Sequence, residues 1–538
     1  MPTDFDPKQL LAAGDTSLGI EFGSTRIKAC LVAPDATPIA TGVHEWENQL
    51  VDGHWSYSLK SIWSGVQAAY TSLIKQCEEK YAFKPTSYAS IGVSAMMHGY
   101  LAFDANDELL VPFRTWRDTT TGPAAEQLTK VFKVNIPLRW SVAHYYQAML
   151  DQEPHIENVS FLTTLAGYVH WKLTGEKVLG VGDASGMFPL NSDGTEYRAD
   201  LIEIFNKMST SERDIKELLP AIRTAGQSGG KLTEAGAKLL DPTGKLEAGI
   251  LFAPPEGDAG TGMVATNAVK PRTGNVSVGT SIFLMAVLEN PLKHLHPEID
   301  LVTTPDGHPV AMVHCNNGAD ELARWVDMFR EVAQLLNAPD TSADAVYAAT
   351  LGAALEGEAD AGGVFAFNNL AGEPVTHLDG GRPLITRSPW ATLNLPNFMR
   401  AQVCSTFAAL AIGLEVLETE AVQLDVLSAH GGVFRTEKVA QRLLAAATHT
   451  PITVQDSASE GGAWGMAVLA AYSAYSQNVA SPQPLDEYLT DTVFASAAQE
   501  TIAPSAADER GFATFLAGYR QALTIQPHAI RALPPRAL

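Results

Sequence analysis

The stretch "SLGIEFGSTRIKACLV", residues 17–32, sets a short apolar strand, a turn of small residues and a second apolar strand in immediate succession. Nearly half a chain later "GNVSVGTSIFLMAVLE", residues 274–289, repeats the arrangement with Gly279, Thr280 and Ser281 in its turn. Short apolar runs bounded by turn residues read as strands buried on both faces. Each hairpin opens a long region of mixed strands and helices. This repetition predicts a duplicated α/β architecture with two large domains, drawn at residues 16–258 and 259–525.

A plain hairpin needs no acid and no hydroxyls, yet Glu21 stands two residues before Gly23, and Ser24 and Thr25 follow it. Turns of Gly, Ser and Thr present N–H and O–H groups without bulk, which suits phosphate oxygens. Two such turns, one from each domain, could grip a polyphosphate between them. Glu21 would then offer a carboxylate to a phosphate-bound Mg²⁺, through water, since Mg²⁺ keeps much of its hydration. Two ordinary hairpins with a satisfied acid are the plain alternative.

The 538-residue chain carries 46% hydrophobic and 18% charged residues, enough for large cores. Its net charge of −23, from 37 basic and 60 acidic side chains, argues against a nucleic-acid backbone as partner. The four cysteines, Cys30, Cys77, Cys315 and Cys404, lack CxxC spacing, so neither a disulfide framework nor a zinc site is expected from them. The N-terminus lacks the basic start and apolar run of a signal peptide, and no run of about 18 uncharged apolar residues occurs. The expectation is a cytoplasmic protein without a membrane span.

Along the chain, residues 52–81 contain an amphipathic helix, "YASIGVSAM" is a buried strand, and "TTLAGYVHWKLTG" is a helix closed by Gly175. Residues 240–262, rich in Pro and Gly, read as the crossing between the domains, and the last sixty or so residues as helical. In that crossing "EGDAGTGM" places Asp258 in a Gly-rich loop. Phosphoryl transfer to an alcohol needs a group that orients the hydroxyl and accepts its proton; a loop aspartate capping the next helix would look the same. "LSAHGGVFRTEKVAQRLLAAAT" ends a strand in Gly431 and Gly432, where a flat base or sugar could lie on bare backbone. "SASEGGAWGMAVLAAY" opens a helix with small residues, which admit a ligand or equally another helix. "GVSAMMHGYLAFD" and "FRTWRDTTTG" supply His98, Trp116 and Asp118, the aromatic face and hydrogen-bonding groups of a polyol pocket, or ordinary core residues.

In this order the segments resemble the FGGY carbohydrate kinase family, in its xylulose kinase-like branch, over roughly residues 16–475. "GIEFGSTRIKACLV" resembles its first phosphate hairpin, Asp-x-Gly-Thr-Ser-x-x-Lys, which brings in Lys28. "SVGTS" resembles the second, and "GDAGTGM" the loop holding the catalytic Asp, here Asp258. "GVSAMMHG" is similar to the Gln-Met-His-Gly stretch at Met97, His98 and Gly99. "TWRDT" is similar to the Trp-x-Asp sugar segment, and "GDASGM" at 182–187 to an Asp-Ala-Ser-Gly-Thr stretch. "HGGVFRTEKVAQRLLA", with Gly431, Gly432, Phe434 and Arg435, and "EGGAWGMA" resemble the adenosine-binding segments.

The resemblance implies the actin-like, hexokinase-like ATPase fold, with ribonuclease H-like duplicated domains and an interdomain cleft. It implies ATP and Mg²⁺ as co-substrate and cofactor, a small-molecule sugar as acceptor, no nucleic-acid or membrane partner, and is compatible with a homodimer. The site it implies comprises Asp258 as base, Glu21 toward the metal, and Met97, His98, Trp116, Asp118 and Asp258 around the sugar. ATP would meet Gly23, Ser24, Thr25, Lys28, Gly279, Thr280, Ser281, Gly431, Gly432, Phe434 and Arg435. The chain departs from the pattern at Glu21 for Asp, Ser24 for Thr, Met96 for Gln and Thr120 for the Arg after Trp-x-Asp, and "TRSPWATLNL" lacks a Gly-x-Phe-x-Gly-Leu stretch. His98 favours a pentulose, xylulose- or ribulose-like, or a related keto-sugar over glycerol. The alternatives are a catalytically weak ATP- and sugar-binding regulatory protein, a kinase for another polyol or a sugar acid, and a filament-forming actin relative.

Overall fold

A computed structural model describes residues 6–455, 461–497 and 499–534. Two seven-stranded sheets organise it. The first contains β1 (Ser17–Phe22), β2 (Arg26–Val32), β3 (Pro38–Glu45), β4 (Ser90–Ala95), β5 (Gly230–Lys231), β6 (Leu251–Phe252) and β7 (Glu256–Gly257), in spatial order β5-β6-β4-β1-β2-β3 with β7 also on β4. The second contains β8 (Thr273–Val278), β9 (Ile282–Val287), β10 (Ile299–Thr303), β11 (Pro309–Cys315), β12 (Val426–His430), β13 (Ile452–Gln455) and β14 (Gln499–Ile502), in order β10-β11-β9-β8-β12-β13-β14.

The repetition seen in the sequence is a repetition of pairing. β1 runs antiparallel to β2, with Glu21 opposite Lys28, and parallel to β4, with Glu21 opposite Ser94. β8 likewise runs antiparallel to β9 and parallel to β12, with Ser277 opposite His430. Both hairpins therefore sit centrally, covered on two faces, which is why their strands carry almost no polar alternation.

The helices that place the site are α1 (Leu59–Tyr81), α2 (Leu165–Thr174), α3 (Asp258–Ala265), α4 (Leu395–Thr419), α5 (Val439–Thr448), α6 (Gly461–Asn478) and α7 (Ala506–Leu523). Ser58 starts α1, its Oγ accepting from Ser61 N, and Gly175 ends α2 at φ 82°. α4 is long and apolar enough to cross a membrane by length and composition, with a mean hydropathy of 1.4 in its most apolar window. Its burial, 78% of that window, makes it the central core helix of the second half.

α6 lies on the first sheet with backbone almost touching backbone. A Cβ at Gly19 would come within 2.2 Å of Ala463 O and Ala467 N, and one at Gly92 within 2.3 Å of Met466 Cε. Gly19 and Gly92 are register partners on β1 and β4, so the two glycines form a shallow floor for the helix. On the helix side, a Cβ at Gly465 would reach Thr261 O of α3 at 2.1 Å. The small residues of 461–467 thus serve close helix packing; residues 457–460 of the same segment lie outside the described residues.

Two expectations need correction. Within 240–262, residues 251–252 and 256–257 are strands of the first sheet rather than a free crossing; the chain leaves that sheet at Gly257 and enters the second at Thr273. The C-terminal stretch is not wholly helical, because β14 pairs antiparallel with β13 at the second sheet's edge. All four cysteines are buried.

The bare-backbone contact makes Gly19 costly to change. Gly19→Ala should destabilise the protein by about 1–3 kcal/mol through overpacking, read as a lower denaturant midpoint at unchanged slope. A midpoint equal to wild type would show that α6 is free to shift.

Candidate active site

A cavity of about 1300 Å³ lies between the two halves. Ser24 of the first turn and Ser281 of the second both line it, together with Met96, Met97, His98, Trp116, Asp118, Asp258, Gly461 and Gly462. The hairpins therefore approach one space from opposite walls. In each turn the carbonyl oxygens are engaged from behind. Trp46 Nε1 donates to Gly23 O (2.8 Å) and the Tyr57 hydroxyl to Ser24 O (2.7 Å). Gly318 N donates to Thr280 O (2.7 Å) and Ala319 N to Gly279 O (2.8 Å). With its acceptors occupied, each turn has donors left to offer an anion, as phosphate recognition requires.

Asp258 begins α3, directly after β7, with Gly257 rather than Asp258 as the cap residue. Its Oδ1 accepts from Met97 N at 3.1 Å. The carboxylate is open to the cavity yet walled closely by protein. Desolvation raises its pKa against the opposing pull of the Met97 and Ala259 N–H groups. Gly257 makes this approach possible, since a Cβ there would lie 2.0 Å from Met97 Cγ.

Glu21 is pushed up to about 7, first by burial and then by the charge of Asp258, with Lys28 and the Ala463 N–H pulling the other way. A buried carboxylate whose proton affinity is raised by a neighbouring carboxylate offers oxygen ligands and unbalanced negative charge, which fit a hard divalent cation such as Mg²⁺. Gly462 leaves room for Glu21, for its Cβ would meet Glu21 Oε1 at 2.0 Å.

Beneath Asp258 lie two further acids that the sequence reading did not single out. Glu256 is buried and accepts from Gly182 N (3.2 Å), Asp183 N (3.1 Å) and Gly257 N (3.3 Å). Burial, then Asp183, raises it to about 8. Asp183 is raised to about 7, chiefly by burial, while its Oδ2 accepts from Thr164 Oγ1 at 2.6 Å. Its Oδ1 has no partner among the described residues. This explains "GDASGM": a Cβ at Gly182 would meet Glu256 Oε2 at 2.4 Å, and one at Gly186 would meet His98 Nδ1 at 2.4 Å.

The first-half wall of the cavity gathers the remaining expected residues. His98 ends the run after β4 in a left-handed conformation, φ 72°, a strained state for a residue with a side chain. Burial, then Arg139, holds its pKa well below the usual value, so the imidazole is neutral. Asp118 is buried despite lining the cavity. Burial opposes its ionisation, but the Thr120 N–H (2.9 Å) and hydroxyl (2.7 Å) together with His54 hold its pKa below the usual range. Thr120, a departure from the family pattern, thus locks Asp118 in place. Trp116 is 39% exposed, its ring available to the cavity. Met96 is buried beside the Tyr57 hydroxyl, 3.9 Å from its sulfur.

Two groups on the walls, and one behind them, escaped the sequence reading. Arg139 of the first half pairs with Asp300 of the second, and Asn135 Nδ2 donates to Asp300 Oδ1 (3.1 Å) and Ile299 O (3.0 Å). Phe283 and His314, register partners on β9 and β11, stack with centroids 4.2 Å apart and planes 5° from parallel. His54, on a short strand at His54–Ser56, reaches Asp118. No motif marks them, because their relation is purely tertiary.

Not every expected residue lines the cavity. Lys28 points to the Glu21 side, and Gly461 lies 3.9 Å from its Nζ by a built Cβ. Gly431 is needed where β12 ends, since a Cβ there would meet Val278 O at 2.0 Å, and its φ is 133°. Gly432 and Arg435 are exposed at that end, whereas Phe434 packs into the second half's core. Thr25, Gly279 and Thr280 are exposed at the turns, and Thr280 Oγ1 donates to Asp320 Oδ1 at 3.0 Å.

Comparison with known proteins places this geometry. Residues 16–250 match the N-terminal domain, and residues 274–474 the C-terminal domain, of the FGGY family of carbohydrate kinases. A xylulose kinase of Haemophilus influenzae is 25% identical over 295 residues, 52% of this chain and 58% of that protein. The chain spans about half the length of the curated relatives it matches. Among solved structures, xylulose kinase from Rhodospirillum rubrum superposes with a TM-score of 0.74 at 18% identity, covering 96% of this chain and all of that one. Gluconate kinase from Lactobacillus acidophilus gives 0.73 at 18% identity, covering 96% and 98%. The fold is thus the two-domain actin-like ATPase fold of sugar kinases, and the chain belongs to the FGGY family of carbohydrate kinases.

Proposed function

We propose that this protein transfers the γ-phosphoryl group of ATP to a hydroxyl of a pentulose or related keto-sugar. The observation that carries the reading is the convergence of Ser24, Ser281 and Asp258 on one cavity, with Glu21 beside Asp258. Asp258, oriented by Met97 N–H, accepts the proton of the acceptor hydroxyl as its oxygen bonds to the γ-phosphorus and the bond from that phosphorus to the β–γ bridging oxygen breaks, releasing ADP. Its raised proton affinity suits that task. The turns supply N–H and hydroxyl donors to the phosphate oxygens, so charge developing there meets fixed dipoles. Glu21 would hold Mg²⁺, and the ion would supply positive charge against that of the phosphates.

Glu256 and Asp183 support the base from below. Two buried acids this close retain protons near neutrality, which keeps further negative charge away from Asp258. On the acceptor side the neutral His98 and ionised Asp118 match sugar hydroxyls by hydrogen bonding, and the Trp116 face matches a sugar's C–H groups. A sugar acid is the second reading. Arg117 and Lys130 also line the cavity, with the Arg117 guanidinium 4.3 Å above the Trp55 ring.

ADP release measured over ketoses, aldoses, polyols and sugar acids should show the highest kcat/KM with a pentulose. A preference for aldonates would move the assignment to the second reading, and no acceptor-stimulated turnover across the panel would leave a nucleotide- and sugar-binding regulator.

Asp258→Ala should lower turnover at least about a hundredfold, the scale of lost general-base catalysis, while nucleotide binding measured by calorimetry survives. Turnover near wild type would remove Asp258 from the role of base.

The Glu256 assignment is checked by pH. Its folded pKa, about 8, lies above its unfolded value of 4.5, so the folded chain holds more protons in that window. Stability is fully present below about 4.5 and is lost as pH rises through 8. Glu256→Gln removes this loss. The unfolding free energy of the variant minus that of wild type, from denaturant melts, should therefore grow more positive from pH 5 to pH 8, at on the order of 1 kcal/mol per pH unit. A flat difference would mean that Glu256 is ionised throughout.

A further inference from the structure

Outside the cavity, one group of three ligating side chains converges among the described residues: His294, His296 and Glu420, whose donor atoms all lie within 4.8 Å of one another. Both histidines sit on the segment joining β9 to β10, while Glu420 immediately follows α4. None of the three lines the active cavity. The two histidines border a separate space of about 600 Å³ between the halves.

The contacts converge on one atom. Glu420 Oε1 receives His294 Nδ1 at 2.8 Å, His296 Nε2 at 2.7 Å and the His294 backbone N–H at 3.1 Å, and Oε2 accepts from Lys293 N at 2.9 Å. A buried carboxylate that only needed satisfying would not gather two imidazoles and a backbone N–H on a single oxygen. The backbone N–H bonds fix the carboxylate, while the imidazole nitrogens stand where a cation could replace their protons. Tetrahedral zinc, at about 2.0–2.1 Å from nitrogen and oxygen, spaces its ligand atoms roughly 3.3 Å apart. The two nitrogen–oxygen separations, 2.8 and 2.7 Å, are shorter than this by about half an ångström, so the ion enters as the imidazoles turn back from Glu420 Oε1.

We propose that His294, His296 and Glu420 form a site for a late first-row divalent cation, Zn²⁺ above all. Two imidazoles with one carboxylate select this class over Mg²⁺ and Ca²⁺, which prefer oxygen, and leave at least one position for water. The bound ion ties the 289–298 segment to the end of α4. Four residues beyond His296, Asp300 makes its ion pair with Arg139 at the active cavity. The site therefore pins the strand entry that carries this cross-cavity contact, apart from the phosphoryl-transfer chemistry.

Chelator-treated full-length protein titrated with Zn²⁺ by calorimetry, and with Co²⁺ by visible absorption, tests the proposal. One ion per chain is expected, with ligand-field bands of a low-symmetry Co²⁺ site and no displacement by Mg²⁺. His294→Ala, whose side chain is 75% exposed and should fold normally, is expected to weaken Zn²⁺ at least about tenfold. His296→Ala should do the same. Zn²⁺ should raise the melting temperature of wild type but not of His294→Ala. No stoichiometric uptake by wild type, or uptake unchanged in both histidine variants, overturns the site.

Discussion

The contact on which the site depends is the laying of α6 directly onto β1 and β4 across Gly19 and Gly92. Backbone atoms there approach to a distance that any side chain would prevent. Interiors are packed to near-crystal density, so a contact this close leaves α6 little freedom to shift. Because Gly465 on the same helix abuts Thr261 of α3, the contact extends to the helix that starts at Asp258. Glu21 leaves β1 from the same face and fits beside Gly462. Glu21 and Asp258 are thus spaced by glycine contacts, not by salt bridges. A carboxylate pair that repels itself needs a rigid frame, and this helix provides one.

The frame also explains the stack of acids below. Glu256 sits where Gly180, Gly182 and Gly260 leave space for it, and three backbone N–H groups donate to its carboxylate, while Asp183 accepts from Thr164. Buried carboxyls are costly when charged and acceptable when protonated. The layer therefore separates Asp258, open to the cavity, from two buried acids whose proton affinity burial has raised.

Much of this was legible from residues alone, for reasons that can be stated. Each local pattern had a plain alternative, whether an ordinary hairpin, a helix-capping Asp258 or core residues at His98 and Trp116, and it was their sequential order, resembling one family, that marked both hairpins, Asp258 and the His98, Trp116 and Asp118 group. They were brought to one cavity except for the phosphate and adenosine residues described above, of which Phe434 lies in the core. The two-residue strands β6 and β7 were hidden because such lengths carry no periodicity and stand among prolines and glycines. Arg139 and Asp300 are 161 residues apart, and neither sits in a motif. Thr120 looked like a lost arginine; only its bonds to Asp118 show that it does a different task.

The Arg139–Asp300 bridge has a consequence for traffic through the gap. It crosses from one half to the other at partial exposure, 22% and 16% for the two side chains, so the ions of the medium reach it. Parting the halves means returning both charges to water, and that step becomes easier as added electrolyte screens their attraction. The interior acids, being sealed, feel the same electrolyte far less. Salinity thus acts on the doorway of this molecule and leaves the workshop behind it nearly untouched.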